Sequence, residues 1–167
     1  MAYAIVRTDK MEGSWNGAAL ISLKYLPSGT ATAIENGNVV LVGALVSGER
    51  EVYSASTPSA NSALASIALV ATPEVMADER KKNLNEFRNE AGEICRGYML
   101  RSGDIFSVTT DGITAVSGTA PAVGQLAELA AATKIKLVTA AAGITSGSTQ
   151  VGTVIGVEGS YVVIKVV

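Results

Sequence analysis

The sequence predicts a mainly β fold: a compact antiparallel β-barrel or sandwich-like domain with short helical segments and an extended N-terminal arm. Apolar runs rich in Val, Ile, Leu and Tyr are short, and Gly, Ser, Asn or Asp separates each from the next. The pairs Asn36-Gly37, Ser102-Gly103 and Glu158-Gly159 lie between such runs and are typical of tight turns. The segment with helical spacing, residues 78–90, is mostly charged, so only short helices are expected.

Length and composition favour one domain with a core of small side chains. The chain has 167 residues, of which 48% are hydrophobic but only 5% aromatic, and Ala and Val supply much of the apolar fraction. Residues 1–16 are expected to form the arm and residues 17–167 a single β-rich domain; two small lobes divided near residues 111–121 are the alternative. Because such a core is thin for its length, burial against partner subunits is expected.

The N-terminal segment has two interpretations. Its apolar residues are interrupted by charges, and no strong strand partner precedes the polar stretch at Glu12-Gly13. An arm that orders on binding would use Tyr3 and Trp15 as anchors, with charges setting the register. The alternative is an ordinary edge strand with Trp15 in the core. The residues expected to dock are Tyr3, Ile5, Arg7 and Trp15.

The strands are predicted from apolar runs bounded by turn residues. Asn36-Gly37 predicts a hairpin between Ala33-Ile34 and the run of residues 39–42, and this run, which lacks alternation, is expected to be buried on both faces. Strands are expected near residues 20–26, 39–46, 49–54, 66–71, 93–100, 104–110, 151–157 and 160–167.

The middle of the chain contains the expected helical segments. Thr72-Pro73-Glu74 combines an N-cap residue, a Pro and an early acid, and predicts the start of a short helix. Residues 78–90 are predicted to be a solvated helix or an exposed excursion.

In the C-terminal half, residues 101–104 predict a hairpin turn between two apolar runs. Residues 122–132 fit a helix or a strand, and a strand is preferred because residues 134–138 alternate and would pair with it. The last strand, residues 161–167, is almost wholly β-branched or aromatic, so it is expected to be buried in the core or in an interface. The residues assigned to a subunit interface are Tyr161, Val163, Ile164 and Val166.

The residue types argue against catalysis. The chain has no His, which removes the usual general base and the commonest metal ligand. Cys95, the single cysteine, is expected to be a small buried hydrophobic residue. The acids Asp104, Asp111, Glu128 and Glu158 lie at expected turns or strand edges, where acids are normally solvated. With no phosphate-binding glycine pattern either, we expect no enzyme activity, no cofactor and no metal.

Charge and hydropathy disfavour two classes of partner. The net charge of −2 provides no basic footprint for nucleic acid. No run approaches the roughly 18 apolar residues of a membrane span, and charges interrupt the first ten residues where a signal peptide needs an apolar core. Synthesis and folding in a cytoplasm are therefore expected.

Six segments resemble a known family. They are residues 4–9 (AIVRTD), 37–43 (GNVVLVG), 48–53 (GEREVY), 78–83 (DERKKN), 96–98 (RGY) and 103–109 (GDIFSVT). Together they are similar to the small decoration or cement proteins of tailed-bacteriophage heads, which are encoded beside the major capsid protein. The resemblance extends from the N-terminus to about residue 110 and is weaker in the Ala-rich region that follows.

The resemblance implies a non-enzymatic protein that binds the outer surface of a capsid and strengthens its lattice. The implied partners are the major capsid protein and further copies of this chain, with a trimer favoured over a dimer. The implied location is the capsid exterior of the virion, after synthesis in the host bacterial cytoplasm. Two alternatives stay open: a host-surface or carbohydrate-binding module, against which the scarcity of aromatics counts, and a tail or head-completion component of the same virion.

Overall fold

Eleven strands are present in a computed structural model that describes residues 2–8, 19–76, 78, 80 and 83–167. The strands are β1 (Leu20–Tyr25), β2 (Val39–Leu45), β3 (Val52–Ser56), β4 (Ile67–Val70), β5 (Cys95–Met99), β6 (Ile105–Thr109), β7 (Ile113–Thr114), β8 (Leu126–Glu128), β9 (Ile135–Val138), β10 (Gln150–Glu158) and β11 (Tyr161–Val166). Short 3-10 helices cover Pro27–Gly29, Leu64–Ser66, Leu84–Glu86 and Thr110–Gly112. None of the helical segments in the described ranges is long and apolar enough to span a membrane. The predicted mainly β fold is confirmed.

The first sheet closes into a five-stranded barrel in the order β1-β3-β2-β4-β5, because β5 pairs with β1. The pair β1 and β3 is parallel, and the other barrel pairs are antiparallel. Gly97 of β5 leaves room for the Leu23 side chain inside the barrel: a Cβ at position 97 would lie 2.5 Å from Leu23 Cδ2. Because Gly97 has no side chain, the Leu23 side chain fits inside this narrow barrel.

The second sheet has six strands in the order β6-β11-β10-β8-β9-β7. Its centre is the antiparallel pair β10 and β11, joined at Glu158-Gly159 with Gly159 at a φ of 59°. This confirms the predicted terminal hairpin. Strands β8 and β9 pair antiparallel, which confirms the strand interpretation of residues 122–132, although β8 begins only at Leu126.

The buried side chains form two clusters, of which one fills the barrel and the other joins the two sheets. Side chains of β2 and β4 alternate between the barrel interior, where Val40 and Val70 lie, and the second sheet, toward which Val39 and Leu69 point. The shared cluster also includes Phe106 and residues of β8, β9, β10 and β11. Burial on both faces is thus confirmed for the first half of β2, whereas its end, residues 43–45, is exposed.

The turn at residues 101–104 exists, but the predicted hairpin is wrong. The Asp104 N–H donates to the Arg101 carbonyl at 3.1 Å, and the Asp104 carboxylate accepts from the Arg101 N–H at 3.0 Å. The flanking strands nevertheless enter different sheets, since β5 pairs with β1 and β4 while β6 pairs with β11. The chain therefore changes sheets at residues 101–104. Residues 111–121, where the alternative of two lobes placed the boundary, lie within the segment that forms the second sheet.

The turn at Asn36-Gly37 is also not a hairpin, and no helix starts at Thr72. Gly37 has the expected positive φ of 81°, but Ile34 forms an isolated bridge with Asn89. The buried Asn36 side chain accepts from the Thr72 N–H at 3.0 Å and donates to the Thr72 carbonyl at 2.8 Å. Tertiary bonds thus occupy the Thr72 carbonyl and also the Thr72 hydroxyl, which accepts from the Arg96 N–H at 3.0 Å; these are the two groups that a helix capped by Thr72 would have used.

In the part that the structure describes, residues 78–90 form no regular helix and are only partly exposed, since residues 85–88 are half-buried and Asn89 is buried. Their 3-10 turn, Leu84–Glu86, is preceded by Asn83, whose N–H donates to the Glu86 carboxylate at 3.2 Å. Leu84 is exposed and Phe87 is half-buried, so too little apolar surface is covered to stabilise a longer helix.

Candidate docking surface

The N-terminal segment lies along β6 and extends the second sheet. Val6 forms a bridge with Val108, the Thr109 N–H donates to the Ile5 carbonyl at 3.0 Å, and the Arg7 N–H donates to the Ser107 carbonyl at 3.2 Å. The side chains of Ala4 and Val6 are buried in the shared core. For residues 2–8 the expectation of a loosely held arm is therefore corrected, because this stretch packs as an edge segment of the sheet.

The outward face of this segment carries the predicted docking residues. Ala4 and Val6 point inward, and Tyr3, Ile5 and Arg7 alternate with them and are half-buried at the surface. This alternation follows from the extended backbone, whose successive side chains point to opposite faces. Trp15, the fourth predicted docking residue, lies outside the described residues.

Tyr161 joins Arg7 on this surface. The Arg7 guanidinium carbon lies 5.9 Å from the centroid of the Tyr161 ring, within the range of a cation–π contact. The register of β11 and β6 brings the two together, since Tyr161 pairs with Thr109 at the end of β6 beside the N-terminal segment. Residues predicted for two separate sites, capsid docking and subunit contact, therefore lie side by side.

Arg88 continues the same surface at its other end. Its guanidinium carbon lies 5.6 Å from the centroid of the Tyr3 ring, and its Nε donates to Glu90 at 2.9 Å. The Tyr3 N–H also donates to the Asn85 carbonyl at 2.9 Å. Sequence reasoning missed Arg88, because nothing local to residues 83–90 indicates that they fold against the N-terminus.

We call Tyr3, Ile5, Arg7, Tyr161 and Arg88 the docking face. Two arginine–tyrosine pairs lie at its ends, and the half-buried Ile5 lies between them. Backbone hydrogen bonds to β6 and to Asn85 fix the segment that carries three of its five residues. Chemically, the face offers large rings, guanidinium donors and an apolar centre, which are suited to protein contacts.

The predicted subunit interface is partly corrected. Strand β11 lies between β6 and β10, and its residues alternate between the core and the outer face of the sheet. Ile164 and Val166 are buried in the core of the same chain, so they cannot contact another subunit. Tyr161 and Val163 lie on the outer face and are half-exposed; their contact with a second copy stays a prediction.

The buried acids have structural partners. Glu128, expected to be solvated, is fully buried, and its carboxylate accepts from Lys136 Nζ at 2.8 Å and from the Thr145 hydroxyl and N–H at 2.7 Å each. Burial raises the pKa of Glu128, but the hydrogen bonds from Lys136 and Thr145 outweigh it, and the net pKa is lowered. A carboxylate with a lowered pKa is a weak base, so this Thr, Lys and Glu cluster is poorly suited to activating a nucleophile.

Asp104 and Cys95 also lack the properties of a catalytic base or nucleophile. Asp104, also expected at a solvated turn, is buried in the 101–104 turn that it caps. Burial, aided by the charge of Glu93, raises the pKa of the Cys95 thiol to about 12. In the described ranges, no three His, Cys, Asp or Glu side chains are grouped so that they could hold a metal ion.

Comparisons of the chain with protein-family models, curated proteins and solved structures found no match.

Proposed function

We propose that this chain is a non-enzymatic structural protein of a bacteriophage virion, which binds the outer surface of the capsid and stabilises the head lattice. Its main partner in this proposal is the major capsid protein. The resemblance in residues 4–9, 37–43, 48–53, 78–83, 96–98 and 103–109 motivates the class of protein, and the docking face supplies the contact surface.

The observation that carries the proposal is the composition of the docking face. Tyr and Arg are enriched among the residues that carry most of the binding energy of protein interfaces. A Tyr ring buries a large area with only two rotatable bonds, and a guanidinium offers a planar fork of hydrogen-bond donors. Each arginine of the face lies over a tyrosine ring, at 5.9 Å for Arg7 and 5.6 Å for Arg88. Side chains that are already ordered lose less conformational entropy on binding.

The rigidity of the support favours the same function. The N-terminal segment is hydrogen-bonded to β6, and the core beneath it joins both sheets. A cement protein has to transmit force between neighbouring capsomers, which a continuous close-packed core does well. The buried carboxylates of Glu128 and Asp104 hold a loop and a turn, which is a structural use of ionisable groups.

Self-association is the second part of the proposal. Val163 remains half-exposed on the outer face of β11, two residues from Tyr161 of the docking face. A contact between copies at Val163 would leave Ile164 in the core of each subunit. Sedimentation equilibrium of the purified protein tests this part, with a trimer expected and a monomer at all concentrations contradicting it.

The experiment for the proposed function first requires that a major capsid protein be encoded beside this chain, as the resemblance implies, and then uses heads assembled from that protein. Purified protein is added to undecorated heads, and the particles are imaged by electron cryomicroscopy and heated to measure the temperature at which they rupture. The expected result is added density on the outer surface and a higher rupture temperature. Heads without added density, or density confined to the tail vertex, would reject the decoration function; the latter would support the head-completion alternative.

A further inference from the structure

The loop of residues 139–149 connects β9 to β10 and consists of small residues apart from one Ile. Its C-terminal end is fixed, because the Thr149 N–H donates to the Ala60 carbonyl at 2.8 Å and the Leu129 N–H donates to the Thr149 carbonyl at 2.9 Å. Between the ends, the hydrogen bonds are local, such as that from the Ser148 N–H to the Thr145 carbonyl. Among the described residues, Thr145 is the one member of 140–148 that is hydrogen-bonded to a strand.

Thr145 is held by the buried carboxylate of Glu128. Glu128 lies on the opposite face of β8 from the core residue Ala127, and yet its exposed fraction is 0%. One carboxylate oxygen accepts from the Thr145 N–H, and the other accepts from the Thr145 hydroxyl and from Lys136 Nζ. Three donors thus converge on one carboxylate, and two of them belong to the loop residue.

The charged surroundings of Glu128 are simple. From β9, Lys136 pairs with Glu128 in register and forms the ion pair; its side chain is 39% exposed. On β10, the residue paired with Glu128 is the uncharged Gln150. The loop residue that contacts Glu128 is the uncharged Thr145. Among the described residues, Lys136 is thus the charged group that forms an ion pair with Glu128.

We propose that Glu128 is an acid-sensitive latch, which fastens the loop of residues 139–149 to the sheet while ionised and releases it, with the sheet still folded, when protonated. The sheet survives because Ala127, Leu129, Ile135 and Leu137 pack into the core on the other face, independently of the loop. Protonation removes the charge from three hydrogen bonds and leaves the Lys136 ammonium without a counter-ion. This inference does not depend on the proposed function.

The direction of the pH dependence follows from the contacts. Because the folded-state pKa of Glu128 is lowered, the latch contributes its full stability above the unfolded-state pKa of about 4.3 and loses it as the pH falls through the folded-state value. The loop of the unmodified protein should therefore open only below about pH 4.3. Removing Lys136 takes away a hydrogen bond and a positive charge that both lower the pKa of Glu128, while burial remains, so the opening should move to higher pH.

Backbone amide exchange measured by NMR tests the latch directly. The Thr145 amide reports on the loop, and the Val154 amide, which donates to the Gln125 carbonyl at 2.9 Å, reports on the sheet. In Glu128→Gln at pH 7, the protection factor of Thr145 should fall roughly tenfold or more, as expected for the loss of hydrogen bonds to a charged group, and that of Val154 should not change. The matched control, Glu158→Gln, removes an exposed carboxylate at the end of β10 and should leave both amides unchanged.

A second variant keeps the test decisive if Glu128→Gln does not fold. In Lys136→Met, the pH at which Thr145 loses protection should rise relative to the unmodified protein. The proposal is overturned if that midpoint does not move, if Thr145 stays protected in a folded Glu128→Gln protein, or if Thr145 and Val154 lose protection together as the pH is lowered.

Discussion

The Arg7 guanidinium lies over the ring of Tyr161, 5.9 Å from its centroid, although the two residues are at opposite ends of the chain. The contact exists because the N-terminal segment pairs with one edge of β6 while β11 pairs with the other. The N-terminal segment thus covers the outer edge of β6, and the residues that we assign to capsid docking depend on this pairing.

The first prediction concerns the inward side of the N-terminal segment. Val6→Ala should lower the free energy of unfolding by about 2 kcal/mol, because Val6 is buried against the core and its loss leaves a cavity. The matched control, Ile5→Ala, truncates a neighbouring half-buried side chain that points outward and should cost clearly less. Urea unfolding of both variants measures the difference; equal, negligible effects would show that the segment is not part of the fold.

The second prediction concerns the close approach of three segments at Gly112. A Cβ at this position would lie 2.7 Å from Val108 Cγ2 and 2.8 Å from the Cβ of Ala4, and Gly112 has no positive φ. Gly112→Ala should therefore destabilise the protein by about 1–3 kcal/mol through steric overlap alone.

The control for Gly112→Ala is Gly43→Ala, on the exposed end of β2. There the nearest atom to a new Cβ is the Ser54 hydroxyl oxygen at 2.8 Å. That side chain can rotate away at the cost of one exposed hydrogen bond to the Ala44 carbonyl. Thermal unfolding should show a clearly lower melting temperature for Gly112→Ala than for Gly43→Ala. The reverse order would contradict the packing described here.

The third prediction uses the Cys95 thiol. Burial and the nearby charge of Glu93 raise its pKa to about 12, so the native protein holds almost no thiolate at pH 8. Alkylation by iodoacetamide should be at least about a hundredfold slower in the native protein than in the same protein unfolded in guanidinium chloride. Mass spectrometry measures both rates, and comparable rates would refute the burial of this side chain.

Local signals predicted much of the fold. The β10 and β11 hairpin is encoded by two β-branched runs around Glu158-Gly159, so strand and partner are adjacent in sequence. At residues 101–104 the same kind of signal predicted that the chain turns, but it could not predict which strands the two flanking segments pair with. Turn chemistry fixes the direction of the chain and not the sheet that the chain enters. Asn36 and Thr72 show the same limit: a cap signal at Thr72 was used for a tertiary contact 36 residues away.

The candidate surface was predictable only in part. Residues 3–7 (YAIVR) do not alternate between apolar and polar types, and the charges that follow them favoured an arm over an edge segment. The contribution of Arg88 depends on contacts across more than 80 positions, which no local pattern records. Burial of Glu128 was missed for the same reason, since Thr145 covers it only in the folded chain.

The measurement that tests the central claim most directly is the equilibrium binding of purified protein to undecorated heads, compared between the unmodified chain and Arg7→Glu. The control, Arg50→Glu, makes the same charge change at an exposed position before β3. We expect the unmodified protein and Arg50→Glu to bind with equal affinity, and Arg7→Glu, with an unchanged melting temperature, to bind about tenfold or more weakly. No binding by the unmodified protein, or equal binding by Arg7→Glu, would contradict the account.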